Sequence, residues 1–135
     1  MGTRFETNMT VAFHDLDPLQ IVWHGNYLKY FDIARFGLFA SVGVDLYAYM
    51  LEKHYVFPVT RSSLKHIVPL RAFDQFTCSA TVTECQYKIV LNFEIRKGPD
   101  MLLCARGSSE QLAVRFPEME MEFQIPDDIR RALEG

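Results

Sequence analysis

The sequence predicts an α+β domain in which an antiparallel sheet of about five strands wraps around one long buried central helix. Residues 4–14 alternate between apolar and polar side chains, which is typical of a half-buried strand. Residues 26–42 have a helical pattern whose apolar side chains cover most of the circumference, as in a buried helix. After Pro58 the chain becomes rich in Val, Ile, Thr, Phe and Leu, which favours strands. One sheet packed around one helix fits this order best.

A turn at residues 17–20 divides the first half of the chain. The strand before it is expected to place its apolar side chains on one face, namely Phe5, Met9, Val11 and Phe13. Pro18 disfavours helical backbone at Asp17, so Asp17 is expected on extended or turning backbone. The long helix is expected to begin with Asn26 as its N-cap. Its polar positions predict one narrow stripe, formed by Lys29, Asp32 and Arg35.

The second half of the chain predicts a short helix, the remaining strands and a closing helix. The short helix is expected over residues 45–53. The strands are expected at residues 60–68, 76–84, 89–96 and 101–116, with a hairpin turn at 97–100. The tail has Pro126 at its start, acidic residues next and arginines later, which suits a helix and its dipole.

Composition indicates one globular domain and excludes several classes of protein. A chain of 135 residues has room for one core, so residues 1–135 are taken as a single domain. The net charge of −3 argues against nucleic-acid binding. No apolar run reaches the roughly 18–20 residues of a membrane span, and the first residues lack the apolar core of a secretion signal. We therefore expect a cytoplasmic location, with Cys78, Cys85 and Cys104 as reduced core thiols.

The stretch FHDLDPLQIVWHGNYLKYFDIAR, residues 13–35, contains the material for an acyl-transfer site. The first turn of a helix has unpaired N–H groups that can stabilise the oxyanion formed when a carbonyl is attacked. Asp17, held on the turn before that helix, is placed to activate water or to attack directly. His24 could add a donor or orient the acyl group. No Ser-His-Asp triad is needed for this chemistry.

Each of these residues also has a plain structural interpretation. Asp17 could serve only turn formation or capping, and Asp15 is expected to be structural. His24 could simply bond to a backbone carbonyl, and Asp32 could pair with Arg35. A metal site formed by His14, Asp15, Asp17 and His24 lacks a known ligand spacing, so we expect no metal and no cofactor.

The segment HDLDPLQIVWHGNYLKYFDIAR resembles the signature of hotdog-fold acyl-CoA thioesterases of the 4-hydroxybenzoyl-CoA thioesterase type. The resemblance continues weakly through residues 62–84 and reaches the tail at 125–133. It implies a hotdog fold and hydrolysis of an aromatic or short- to medium-chain acyl-CoA. It also implies that Asp17 is the catalytic carboxylate and that the amide of His24, next to Gly25, polarises the thioester carbonyl. Because this family binds coenzyme A between subunits, the resemblance implies a homodimer or, preferably, a homotetramer.

The resemblance also suggests substrate contacts and one departure from the family pattern. The acyl pocket would be walled by Trp23, Tyr27, Phe31 and Leu64, with Asp32 meeting a polar acyl end. Coenzyme A contacts would come from residues 61–66, including Arg61 and Lys65, and from residues 87–88. The chain has Leu19-Gln20 where many members have a small residue or Gly before the Ile/Val pair.

Two other functions remain open at this point. The acyl group could come from an acidic acyl carrier protein, which would need a basic patch such as Arg61, Lys65, His66 and Arg71. A non-catalytic acyl-CoA binding protein is the third possibility, although a carboxylate beside the thioester would then have no purpose.

Overall fold

The computed structural model describes residues 2–135 and contains one main antiparallel sheet with a long helix packed on one face. The sheet has the strand order β1-β4-β5-β6-β3. Its strands are β1 (Arg4–Thr10), β3 (Val59–His66), β4 (Gln75–Glu84), β5 (Ile89–Lys97) and β6 (Leu102–Gln111). The helix is α1 (Asn26–Ser41), and it contacts β1 and β4. The predicted fold class, a sheet of five strands around one helix, is confirmed.

The remaining elements surround this unit. They are a short 3-10 helix (Phe13–Asp15), α2 (Leu46–Lys53), β2 (Tyr55–Val56), β7 (Ala113–Arg115), β8 (Glu120–Glu122) and α3 (Asp127–Glu134). β2, β7 and β8 form a small second sheet that the sequence did not predict. The single strand predicted at residues 101–116 is therefore two strands. The chain bends at Leu112, and β7 leaves the main sheet to pair with β2.

The core lies between α1 and the inward face of the sheet. Alternate residues of β4 and β5 point inward, including the buried Cys78, Ala80, Leu91 and Phe93. From α1, Phe31 stacks on Phe93 with ring centroids 4.4 Å apart. Burying side chains of this size contributes roughly 1.5–3 kcal/mol each. The three cysteines are buried and free, as expected, and burial raises the pKa of Cys78 to about 12. Across residues 2–135, every helix is too short or too polar to cross a bilayer.

The long helix differs from its prediction in two ways. It is not buried all round, because Leu28, Ile33 and Phe36 are 43–57% exposed. Arg35, which was expected in the narrow polar stripe, is buried with only 4% of its surface exposed. Asp32 and buried Ser109 accept its hydrogen bonds, which explains how a charged side chain is held there.

The segment that leads into α1 also differs from its prediction. The first strand ends at Thr10, and Phe13, expected on its buried face, lies on the 3-10 helix and is 73% exposed. The N-cap of α1 is Gly25 rather than Asn26, and no side chain caps this end. The Asn26 side chain donates instead to the carbonyl of Asp15, so it ties the helix to the preceding loop.

Candidate active site

Asp17 lies on a tight turn that holds one of its carboxylate oxygens. The backbone carbonyl of Asp17 accepts a hydrogen bond from the N–H of Gln20, and its own N–H donates to the carbonyl of Ile21. Its Oδ1 accepts from the N–H of Leu19 at 2.8 Å. Oδ2 has no hydrogen bond among the described residues, so it is free to act on a ligand. Gln20 has φ 64°, a conformation that favours glycine, which explains why glycine suits this position.

Asp15 anchors this turn to α1. Its buried carboxylate accepts hydrogen bonds from Lys29 Nζ at 2.6 Å and from Tyr30 Oη at 2.7 Å. Burial alone would raise the pKa of Asp15, but these two hydrogen bonds and the Lys29 charge outweigh it and lower the pKa. The Asp15 carbonyl also accepts from the Trp23 N–H and from Asn26 Nδ2, both at 2.9 Å. Asp15 therefore orders the loop that contains Asp17, as its structural interpretation requires.

The start of α1 presents free backbone amides. The N–H groups of His24 and Gly25 have no hydrogen-bond partner within residues 2–135. A Cβ added to Gly25 would lie 2.2 Å from the Trp23 ring, so only glycine allows the indole to cover this turn. Such amides carry a partial positive charge and can bind a carbonyl oxygen or an oxyanion.

An aromatic cluster supports the same helix end. Tyr27 is buried, and its hydroxyl accepts a hydrogen bond from the Leu70 N–H at 3.2 Å. Burial raises the pKa of Tyr27, so this phenol stays protonated. The His66 ring lies edge-on to Tyr27 with centroids 4.7 Å apart, and 6.4 Å from the His24 ring. His66, considered from sequence only as part of a basic patch, thus lies beside the helix start.

A cavity of about 200 Å³ opens between the middle of α1 and strands β3 and β6. Its walls include Leu28, Phe31, Asp32, Arg35, Ser62 and Ser109. Arg35 Nη1 pairs with Asp32, and Arg35 Nη2 donates to Ser109 Oγ at 2.7 Å. A Cβ on Gly107 would lie 2.6 Å from Phe31, so glycine at this position makes room for the ring. The cavity therefore has an aromatic wall, formed by Phe31, and a polar wall in which the charges of Arg35 and Asp32 balance each other.

Asp17 lines a different groove, of about 510 Å³. The other residues of this groove are Phe13, Leu16, Gln20, Arg71 and Ala72. Asp17 and Asp32 therefore do not face a common cavity within one chain.

The outer face of the sheet carries the predicted coenzyme A residues of β3. Lys65 lies directly opposite Arg106 on β6, and neither has an acidic partner within 4 Å in the described part of the chain. Arg61 lies opposite Glu110, but Glu110 pairs with Lys88 at 3.1 Å. Like charges directly opposite each other on neighbouring strands are destabilising, and Glu94, which lies opposite Arg106 on β5, pairs with Arg96 at 3.2 Å instead, so the Lys65–Arg106 pair is suited to an anion.

The structure does not bring all the predicted site residues together, because Asp17 lines a groove of its own. Trp23, His24, Gly25 and Tyr27 come together at the helix start, and Phe31 and Asp32 line the smaller cavity. Leu64 packs against the core from β3, while Arg61 and Lys65 lie on the outer face of the sheet, away from both. Residues 2–135 contain no group of three or more His, Cys, Asp and Glu side chains placed to hold a metal ion.

Sequence reasoning missed several residues of this region. Lys29 and Tyr30 support Asp15, and Arg106 faces Lys65. The sequence offered one signal for Lys29 and Tyr30: they are adjacent residues near the start of the helix that follows the Asp-x-Asp segment. Nothing in the sequence indicated the strand register that places Arg106.

Three solved structures that are similar to this chain are named as thioesterases of aromatic acyl-CoA compounds. The chain is similar to a 1,4-dihydroxy-2-naphthoyl-CoA thioesterase from Synechocystis, with 18% identity, a TM-score of 0.88, and 96% of this chain and 95% of that chain covered. A mutant 4-hydroxybenzoyl-CoA thioesterase in complex with 4-hydroxybenzoyl-CoA gives 18% identity, a TM-score of 0.87 and coverage of 96% and 98%. A gentisyl-coenzyme A thioesterase has 22% identity and a TM-score of 0.81, with 94% of this chain and 98% of that chain covered.

These structural likenesses confirm the hotdog fold. No curated protein matches the sequence. Residues 11–133, however, match the thioesterase-like superfamily. Because this match spans nearly the whole chain, the protein belongs to the thioesterase-like superfamily, and the prediction of a hotdog-fold thioesterase is confirmed.

Proposed function

We propose that the chain hydrolyses an aromatic acyl-CoA, using the helix-start amides to bind the thioester carbonyl and Asp17 to deliver the nucleophile. The observation that carries this proposal is that the residues expected to bind the carbonyl and to deliver the nucleophile both keep hydrogen-bonding groups free. The N–H groups of His24 and Gly25 lack partners, and Asp17 Oδ2 lacks one on a turn fixed by its neighbours. Preorganised donors of this kind are each worth about 3 kcal/mol of transition-state stabilisation in hydrolases.

The reaction can follow either of two routes from this geometry. In the first, Asp17 removes a proton from water as the water oxygen attacks the carbonyl carbon. The oxyanion then forms at the His24 amide, and collapse breaks the C–S bond and releases the coenzyme A thiolate. In the second route Asp17 attacks directly, the thiolate leaves, and water hydrolyses the resulting anhydride. If water attacks the Asp17 carbon of this anhydride, a single turnover in ¹⁸O-water places ¹⁸O in the Asp17 carboxylate and ¹⁶O in the product, a labelling that the first route cannot give.

The site is expected to be complete only in a homodimer or homotetramer. Exposed apolar side chains lie beside Asp17, since Phe13 in the same groove is 73% exposed and Leu19 on the same turn is 75% exposed. β3 is an edge strand of eight residues with an unpaired side. Pairing of two β3 edges would protect this edge and bring the Asp32 cavity of one copy towards its partner. Sedimentation at micromolar concentration checks this, and a fully active monomer would contradict it.

The substrate is proposed to carry an aromatic acyl group. The cavity beside Asp32 has an aromatic wall in Phe31 and a volume of about 200 Å³, which suits a ring rather than a long chain. The three solved thioesterases compared above are named for hydroxylated aromatic acyl groups, which supports the same class here. Asp32 is expected to contribute to the polar end of this pocket.

A carrier-protein substrate is the second candidate, because of the basic patch formed by Arg61, Lys65 and Arg106 on the outer face. Acyl carrier proteins are acidic, so such a patch would attract them. Non-catalytic acyl-CoA binding is the weaker alternative, since it leaves Asp17 without a purpose.

Release of free thiol from a panel of thioesters tests the proposed function. The panel contains benzoyl, hydroxybenzoyl, short aliphatic and long aliphatic acyl-CoA, together with the same acyl groups on carrier protein and on pantetheine. The proposal expects the highest kcat/KM for an aromatic acyl-CoA. A clearly higher kcat/KM for acyl carrier protein would identify the carrier protein, rather than coenzyme A, as the acyl donor. No turnover of any thioester would overturn the proposal.

A further inference from the structure

Two cations lie side by side on the outer face of the main sheet. Lys65 on β3 is directly opposite Arg106 on β6. Leu64, the neighbour of Lys65, packs against the core, so the Lys65 side chain points to the opposite face. Gly107, the neighbour of Arg106, faces Phe31 of α1, so the Arg106 side chain also points away from the helix. The two positive charges therefore lie together in solvent, on the face of the sheet that α1 does not cover.

The carboxylates nearest to this pair are engaged with other cations. Glu94 on β5 is directly opposite Arg106, on its other side. Glu94 Oε1 nevertheless pairs with Arg96 Nε at 3.2 Å, on its own strand. Glu110, further along β6, pairs with Lys88 at 3.1 Å. The repulsion between the two cations is thus not relieved by these carboxylates, and an anion can relieve it.

Neutral donors lie next to the two cations on the same face. Ser63, Ser108 and Asn92 form the next row of the sheet, opposite one another on β3, β6 and β5. This row is two residues from the cations along each strand, which is about 7 Å. The Ser63 and Ser108 hydroxyls are 2.8 Å apart, so one donates to the other and the second keeps its hydrogen for a ligand. Both rows line one cavity of about 380 Å³.

The chemistry of this cavity selects a phosphate group. A phosphate monoester carries about −1.5 to −2 charges and three acceptor oxygens, so it can neutralise both cations and still accept from the neutral row. A carboxylate carries a single charge, so it neutralises only one of the two cations. Arg106 can bind two phosphate oxygens at once, whereas Lys65 acts as a point charge.

We propose that Lys65 and Arg106, with the neutral row of Ser63, Ser108 and Asn92, bind a phosphate group on the outer face of the sheet. The phosphate belongs either to the coenzyme A part of a substrate or to a separate phosphorylated compound. In the first case the inference rests on the proposed acyl-CoA thioesterase function. Phosphate binding itself needs no turnover, so the two proposals can fail separately.

Calorimetric binding of adenosine 3′,5′-bisphosphate, with adenosine as the unphosphorylated reference, tests the site. Arg106→Gln and Lys65→Gln keep a side-chain donor but remove the charge. We expect each substitution to weaken binding of the bisphosphate by at least about tenfold, and we expect added salt to weaken wild-type binding. Arg4→Gln is the matched control, because Arg4 is an exposed cation on the outer face of β1 that pairs with Glu6. Its Kd should equal that of wild type.

Thermal unfolding gives a second readout of the same site. The bisphosphate should raise the Tm of wild type and of Arg4→Gln, because a ligand that binds only the folded state stabilises it. It should leave the Tm of the double variant Lys65→Gln/Arg106→Gln unchanged. Without ligand the double variant should be at least as stable as wild type, since it loses the repulsion between like charges.

Non-hydrolysable thioether analogues identify the source of the phosphate. If Arg106→Gln weakens binding of an S-alkyl-CoA but not of the matching S-alkyl-pantetheine, the phosphate is that of coenzyme A. If it weakens binding of the bisphosphate alone, the phosphate belongs to a separate compound. If wild type hydrolyses no thioester but binds the bisphosphate through both cations, the proposed function fails and the inference stands. Binding of the bisphosphate no stronger than that of adenosine, or a Kd unchanged in both folded single variants, would overturn the inference.

Discussion

Asp15 offers a sharp test of how the loop containing Asp17 is held. The substitution Asp15→Asn removes the charge from a buried carboxylate that binds Lys29 and Tyr30. Hydrogen bonds to charged groups contribute about 1.5–3 kcal/mol each. The Asn side chain can still accept one of these two hydrogen bonds, and the half-exposed Lys29 ammonium can hydrogen-bond to solvent instead. We therefore expect the free energy of unfolding to fall by about 2–4 kcal/mol.

The effect should depend on pH with a definite sign. The pKa of Asp15 is lowered in the folded protein, so its stabilisation is fully present above the unfolded value of about 3.9 and is lost as pH falls through the folded value. The difference between wild type and Asp15→Asn should be constant near neutral pH and shrink below about pH 4.

Urea unfolding at a fixed protein concentration measures both quantities. The matched control is Asp17→Asn, in which Asn can still accept from the Leu19 N–H on an exposed turn, so stability should change by less than about 0.5 kcal/mol. The reasoning is refuted if Asp15→Asn is as stable as wild type at pH 7, or if its deficit does not shrink in acid. Asp15→Asn is also expected to lose far less activity than Asp17→Asn per folded molecule.

Two further substitutions test other parts of the site. Gly25→Ala would place a Cβ 2.2 Å from the Trp23 ring, so the indole and the helix-start amides must move. We expect kcat to fall at least tenfold, with a circular dichroism spectrum that shows the fold is retained. An unchanged kcat would contradict the assignment of these amides to the carbonyl oxygen. Charge reversal of Arg61 or Lys65 should raise KM for acyl-CoA more than it lowers kcat, because both cations are exposed and Glu110, which lies opposite Arg61, is paired with Lys88 instead. An equal effect on acyl-pantetheine, which lacks the nucleotide phosphates, would show that they do something else.

The architecture was predictable because it follows from local patterns. Alternation in residues 4–10 and the β-branched runs after Pro58 specify strands, and the run from Tyr27 specifies a long helix, although one part of its apolar surface is exposed. The small second sheet was not predictable, since β2, β7 and β8 have only two or three residues each. Strands so short depend on tertiary pairing rather than on their own sequence.

The candidate site was predictable only where the chain itself fixes the geometry. Pro18 placed Asp17 on a turn, and the helix start at Asn26 identified the amides just before it. Burial of Arg35 was not foreseen, because it depends on Ser109, which is 74 residues away along the chain. The separation of Asp17 from the Asp32 cavity likewise depends on packing, and no periodicity encodes it.

The turnover rate of Asp17→Asn tests the central claim most directly. Asn keeps the hydrogen bond to the Leu19 N–H and the shape of the turn, but it can act neither as a base nor as a nucleophile. Asp100→Asn, in the exposed turn between β5 and β6, is the matched control. With the best acyl-CoA at saturation, kcat of Asp17→Asn should fall by about 10²–10⁴-fold while KM, thermal stability and the control remain near wild type. Retention of more than a tenth of the wild-type rate, or a loss explained entirely by unfolding, would contradict the catalytic role of Asp17.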